Sequence, residues 1–138
     1  MTEPGGHNAR IIAEFRGNHG QVGGGFAGAP LLLLHTTGAR TGQEHVTPVM
    51  YRKVDGGYAV FASFAGQPRN PAWYHNLVAN PDVQAEIGTQ TLRLHARVAD
   101  DAERETIWTA HKTEFPGFQE YEDKTTRQIP VVILEPAS

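Results

Sequence analysis

Residues Pro30 to Tyr51 read PLLLLHTTGARTGQEHVTPVMY. Leu31 to Leu34 form a continuous apolar run, too short to span a membrane and of the right length for a buried strand. Gly38 and Gly42 bracket a polar segment, and Val46 to Tyr51 reads as a second strand. The expected geometry is a hairpin whose tip is Gly38-Ala39-Arg40-Thr41-Gly42. Both glycines are free to take positive φ, so successive tip amides can point into one concavity. Arg40 adds a charged fork, while Thr37, Thr41 and His45 add neutral or titratable donors, a set that suits a phosphate or carboxylate. An ordinary solvated hairpin tip with one arginine has the same spacing, so the motif by itself leaves both readings open.

Downstream of the hairpin, Asp55-Gly56-Gly57 is a turn signal and Tyr58 to Phe64 reads as a third strand. Pro48 cannot donate to a ladder, so the second strand should be at an edge or bulged there. Asn70-Pro71 predicts a helix start with Asn70 as cap, and the helix runs to Ala79 before Asn80-Pro81 stops it. Its spacing pairs Trp73 with Leu77 and Tyr74 with Val78. Val83, Ala85 and Ile87, then Leu92, Leu94, Ala96 and Val98, alternate with polar residues around Gly88-Thr89. This predicts a second hairpin with Arg93, His95 and Arg97 on its outer face. Asp100 or Asp101 caps a helix to about Phe115 that buries Ile107, Trp108 and His111 or Phe115. Pro116-Gly117 breaks it, Phe118 to Thr126 is polar, and Ile129 to Leu134 reads as the last strand.

Upstream, Ala9 to Arg16 places Ile11, Ile12 and Phe15 on one side of a short helix. Gly23 to Gly28 spells a literal G-x-G-x-x-G. The dinucleotide fingerprint requires a strand before it and a helix after it, and here the order is reversed. Residues 1–28 are therefore expected to be a flexible segment of short helix and glycine-rich loop. The whole chain, 1–138, reads as one α+β domain built on an antiparallel barrel of about six strands with inserted helices.

A length of 138 residues supports one core, and 12 basic against 15 acidic side chains give no footprint for nucleic acid. The absence of cysteine excludes disulfides and thiolate sites. MTEPGGHNAR has no basic segment followed by an apolar one, and no apolar run approaches the roughly 20 residues of a spanning helix. The expectation is a cytoplasmic protein with no membrane span. Ser63 lacks a G-x-S-x-G elbow, the histidines have no helical ligand spacing, and no carboxylate pair is close in sequence. Neither hydrolase chemistry nor a metal centre follows from these residues. A small barrel with an anion seat and an aromatic helix instead suits an organic cofactor that carries the chemistry. Trp73 and Tyr74 are placed to line its pocket, although core packing gives the same periodicity.

Three blocks, HTTGARTGQEHVTPVMY, ASFAGQPRNPAWYHNLVANPDV and RQIPVVILEP, together resemble the deazaflavin-dependent nitroreductase family from about Leu31 to Pro136. The motifs T-T-G-x-[RK]-[ST]-G and N-P-x-W-Y-x-N-L-x-A-N-P are specific. The resemblance implies a split β-barrel related to the FMN-binding barrels, in a superfamily that is usually dimeric. It also implies hydride transfer between the 8-hydroxy-5-deazaflavin coenzyme F-420 and a quinone-like or nitroaromatic acceptor, as in actinobacterial oxidoreductases. By the same match, Ala39, Arg40 and Thr41 hold the phosphate and acidic tail. His45, Val46, Thr47, Pro48, Val49 and Met50 form the strand under the deazaflavin. Phe61, Ala62, Ser63 and Phe64 are third-strand contacts, with Ser63 near the reacting ring. Ala72, Trp73, Tyr74, His75 and Asn76 are the aromatic helix start.

Departures from the family's nitroimidazole-activating member bear on the acceptor. This chain has Ala39 for a second cation, His45 for an arginine, Met50 for a tyrosine and Phe64 for a lysine. A C-terminal tyrosine cluster becomes Phe115, Phe118 and Tyr121. Ser63 and Tyr121 are then the expected groups for hydrogen-bonding or protonating the reduced acceptor, with quinones favoured over nitroimidazoles. FMN in the same barrel, or a non-catalytic carrier of the deazaflavin or a hydrophobic ligand, are the alternatives to this reading. A homodimer is the expected assembly.

Overall fold

Leu31–Thr37 forms β1 and Glu44–Val54 forms β2, paired antiparallel from Leu31 opposite Met50 to Thr37 opposite Glu44. The computed structural model describes residues 6–18, 30–63, 66 and 70–137. The glycine-rich sequence Gly23 to Gly28, and Phe64 among the expected coenzyme contacts, lie outside the described residues. The other elements are α1 (Gly6–Gly17), β3 (Gly57–Phe61), α2 (Ala72–Ala79), β4 (Asp82–Ile87), β5 (Gln90–Val98), α3 (Asp101–Glu114), α4 (Gly117–Asp123) and β6 (Val131–Pro136). The six strands close into an antiparallel barrel in the order β1-β2-β3-β6-β5-β4.

The four-leucine run is explained by its two covered faces. Leu32 and Leu34 point into the barrel against Val60, Ala85, Leu94, Val132 and Leu134, while Leu31 and Leu33 pack outward against Ile11 and Phe15 of α1. A strand buried on both faces has no polar alternation. Each such leucine contributes about 1.5–3 kcal/mol of apolar burial. The C-terminal turn of α1 is tied down as well. Arg16 donates to both Glu86 oxygens, at 3.0 and 2.6 Å, and the His35 ring spans Glu86 at 2.7 Å and Glu44 at 3.1 Å.

Pro48 sits where its missing N–H does no harm. The Tyr51 amide donates to the Pro30 carbonyl at 2.9 Å, so alternation puts Pro48, opposite Leu33, in a non-hydrogen-bonded pair with β1. On its other side β2 meets β3 only from Tyr51 to Val54, which leaves the Pro48 position facing no strand. This is the edge position that the proline predicts.

Several local expectations are corrected. The third strand stops at Phe61, not Phe64. Pro71 occupies the cap position of α2, because the Asn70 side chain accepts from Arg127 Nη1 at 2.7 Å instead of capping. Val98 is 48% exposed, since the barrel ladder ends there and the chain turns toward α3. The polar stretch after Pro116 contains α4, which buries none of its own residues. α4 is held by Glu122, which accepts from Trp108 Nε1 and from Lys112 Nζ, both at 2.7 Å. Such tertiary hydrogen bonds leave no periodicity in the sequence.

Candidate functional site

Strand alternation divides β2 into two sets. His45 and Thr47 share the face of Leu32 and Leu34, and Val46 and Met50 turn to the other side, against α1. A cavity of about 560 Å³ opens at the first face, between the hairpin tip and α2. It is lined by Gly38, Ala39, Arg40 and Thr41, by His45 and Thr47, and by Ala72, Trp73, His75 and Asn76. That size is within the range of small-molecule and cofactor sites.

The tip is bonded to itself at its base. The Gly38 amide donates to the Gln43 carbonyl at 2.7 Å, and the Gly42 amide donates to the Gly38 carbonyl at 3.0 Å. Of the two glycines, Gly42 takes positive φ (+72°) and Gly38 does not. Gly38 is crowded: a Cβ there would lie 2.8 Å from Thr41 Oγ1 and 3.1 Å from His45 Nε2, so those side chains would have to shift. Sequence reading assigns both glycines to φ freedom, and the close approach at Gly38 is visible only in three dimensions.

Asn76 crosses the cavity wall. Its Oδ1 accepts the Ala39 amide at 3.0 Å, and its Nδ2 donates to the Thr36 hydroxyl at 3.3 Å. Asn80 adds a second tie, donating through Nδ2 to the Thr37 carbonyl at 3.3 Å. The tip is thereby fastened to α2. A polar residue next to Leu77 on the buried side of this apolar helix was the available signal for Asn76.

The unspent donors then define the chemistry. No described group accepts from the Arg40 guanidinium or from the amides of Arg40 and Thr41. α2 has no side-chain cap: the Tyr74 amide donates to the Pro71 carbonyl at 3.1 Å, and the first two residues of the helix, Ala72 and Trp73, line the cavity. No carboxylate is among the described residues lining the cavity, whereas Arg40, His45 and His75 are. Positive and neutral donors at one end, with the indole of Trp73 in the wall, suit a ligand that has a flat apolar body and an anionic tail.

Of the expected coenzyme contacts, Ala39, Arg40, Thr41, His45, Thr47, Ala72, Trp73, His75 and Asn76 converge on this cavity. Val46, Pro48, Val49, Met50, Phe61, Ala62, Ser63 and Tyr74 are not among its lining residues. Val49 and Tyr74 pack against the inner core that contains Ala62. Phe61 stacks on His111 of α3, with ring centroids 3.9 Å apart. Ser63 is 8% exposed just beyond β3, and Tyr121 meets Phe118 edge-on at 5.3 Å on α4. Gly66 touches the backbone of both segments: its amide donates to the Ser63 carbonyl at 2.9 Å, and a Cβ built on it would lie 2.8 Å from the Tyr121 carbonyl.

Known proteins resemble this chain in sequence and fold. A family model described as F420H(2)-dependent quinone reductase matches residues 9–136. An F420H(2)-dependent quinone reductase of Mycobacterium tuberculosis is 39% identical over 126 residues, covering 88% of this chain and 85% of the relative. Among solved structures, an F420-H2 dependent reductase, FDR-A, superposes with a TM-score of 0.70 at 40% identity, covering 77% of this chain and 94% of its own. A chain solved as a domain-swapped dimer superposes at 0.72 with 36% identity, covering 92% and 93%. The family model's match, residues 9–136, includes the tip, the barrel strands and the aromatic helix, and the chain belongs to the F420H(2)-dependent quinone reductase family.

Proposed function

We propose that this protein takes a hydride from reduced coenzyme F-420 and delivers it to a quinone. The observation that carries the reading is the cavity of about 560 Å³, with no carboxylate among its described lining residues, unspent donors at the hairpin tip and Trp73 in its wall. Those residues fit a flat ring joined to a phosphate and acidic tail. Arg40 and the tip amides would hold the tail, and Trp73 and Thr47 would flank the ring. When bound, the deazaflavin supplies the hydride chemistry.

The chain's own part is to bind, orient and manage one proton, because a quinone that accepts a hydride must also gain a proton to become a quinol. Ser63 Oγ and Tyr121 Oη are the proposed hydrogen-bond or proton donors to the acceptor oxygen. A quinone already has two polarised carbonyl oxygens, so it needs fewer protein donors than a nitroaromatic. The small hydroxyl count therefore favours quinones, with nitroaromatics as secondary acceptors. A homodimer and a cytoplasmic setting complete the proposal.

The test is a side-by-side titration with F-420 and FMN, read through quenching of intrinsic tryptophan fluorescence and through the coenzyme's own absorbance. The proposal expects tighter binding of F-420. Equal or tighter FMN binding would assign the cavity to the commoner flavin.

A further inference from the structure

Arg127 lies between α4 and β6, at the start of the RQIPVVILEP block and outside the hairpin tip and the α2 motif, and its side chain reaches both ends of one connection. Nη2 donates to the carbonyls of Ala62 and Ser63, each at 3.0 Å, and Nη1 donates to Asn70 Oδ1 at 2.7 Å. Ala62 and Ser63 are where the chain leaves β3, and Asn70 immediately precedes the Pro71 cap of α2. The guanidinium is withdrawn enough from water that its pKa is lowered by desolvation. A planar fork that holds three acceptors in fixed directions specifies a geometry, which a flexible ammonium cannot do.

We propose that Arg127 is a positioning residue for the coenzyme seat: it sets where α2 begins relative to the end of β3. Four of the residues lining the cavity, Ala72, Trp73, His75 and Asn76, are on α2 and take their places from that start. Asn76 passes the placement on to the tip through the Ala39 amide. One side chain outside the cavity thus sets the spacing between its two walls. The proposal rests on the F-420 reading for the identity of the ligand, and on the hydrogen bonds alone for the placement of α2.

The experiment uses the full chain with Arg127→Lys, and with Asn70→Ala as a milder variant that keeps the guanidinium. Hydrogen exchange without coenzyme is followed over residues 70–80, with the β4–β5 hairpin, residues 82–98, as internal control. F-420 dissociation constants and saturated turnover are then measured on the same samples. Both variants should exchange faster across 70–80 with the hairpin unchanged, because the opening is local. If the competent arrangement falls to about a tenth of the population, the dissociation constant rises about tenfold, while turnover at saturating coenzyme changes far less. Unchanged exchange over 70–80, or a rise spread evenly over the barrel, would overturn the proposal. So would local loosening with unaltered F-420 affinity. If the wild-type protein does not bind F-420 at all, the coenzyme reading fails, and the exchange comparison still decides the placement of α2.

Discussion

The Asn76 carboxamide accepts the Ala39 amide at 3.0 Å, joining a residue of the hairpin tip to a helix 37 positions further along the chain. Its other end donates to Thr36, which is 2% exposed, so the carboxamide is satisfied on both sides within the cavity wall. Asn76→Ala removes both bonds and leaves the Thr36 hydroxyl short of a partner. A loss of about 1–3 kcal/mol in unfolding free energy is expected, with weaker coenzyme binding because the tip is no longer held. Urea unfolding and coenzyme titration on the same variant check this.

Arg40 is the cation of the tip, and no described group accepts from it. A charge-assisted bond to the coenzyme's tail is worth about 1.5–3 kcal/mol, so Arg40→Ala should weaken binding by roughly 10- to 150-fold. Turnover at saturating coenzyme should change far less, since the contact is to the tail. Dissociation constants at two salt concentrations add a second check: the variant should show the smaller salt dependence, having lost a charge pair.

Gly38 should not tolerate a side chain. In Gly38→Ala the new methyl would press on Thr41 Oγ1 at 2.8 Å and His45 Nε2 at 3.1 Å, both in cavity-lining residues. Binding of the coenzyme should weaken by more than the melting temperature reveals, because the displaced groups are at the ligand and not in the core. Replacing Gly42, where nothing lies within 4 Å of a built Cβ, acts differently: its φ of +72° makes alanine strained there.

These two glycines show where sequence reading reaches and where it stops. The run Leu31 to Leu34, the turn glycines and the alternation of β4 and β5 are local patterns, and they led to the barrel directly. Pro48 even located the unpaired side of β2. The tip motif and the N-P-A-W-Y helix start likewise pointed to two walls that do meet. Asn70 and Arg127, 57 residues apart, were invisible as partners because side-chain bonds across a fold have no spacing rule. The same holds for α4, whose anchors are Trp108 and Lys112 on another helix. The expected β2 contacts were given as a continuous run, and the pleat separates them into cavity-facing and helix-facing sets.

His111 predicts an acid-sensitive fold. The ring is fully buried among Phe61, Phe115 and Phe118, and neither nitrogen has a hydrogen-bond partner. Burial, aided by the nearby Arg52 charge and opposed by Glu114, lowers its pKa to about 4. Because the folded value is below the unfolded value of about 6.5, the unfolded chain binds the proton more readily. The contribution is complete above about pH 6.5 and is lost as pH falls toward 4. Roughly 2 kcal/mol should disappear between pH 7 and pH 5. Urea unfolding at the two pH values checks this, and His111→Phe should largely remove the difference.

Ser63 and Tyr121 are the proposed donors to the reduced acceptor, and the backbone carbonyls of both lie beside Gly66. Removal of both hydroxyls, in Ser63→Ala combined with Tyr121→Phe, should lower turnover with menadione by about 10²-fold or more if they provide the proton. Coenzyme affinity should stay near the wild-type value. Unchanged turnover would assign proton delivery to solvent.

The most direct measurement is stopped-flow mixing of the protein, loaded with reduced F-420, against menadione, while the return of the oxidised coenzyme's absorbance is recorded. The account predicts oxidation that is fast relative to the protein-free control, saturates with menadione and continues over many turnovers. Binding of reduced F-420 without any acceleration of its oxidation would contradict it, and would make the protein a carrier of the coenzyme.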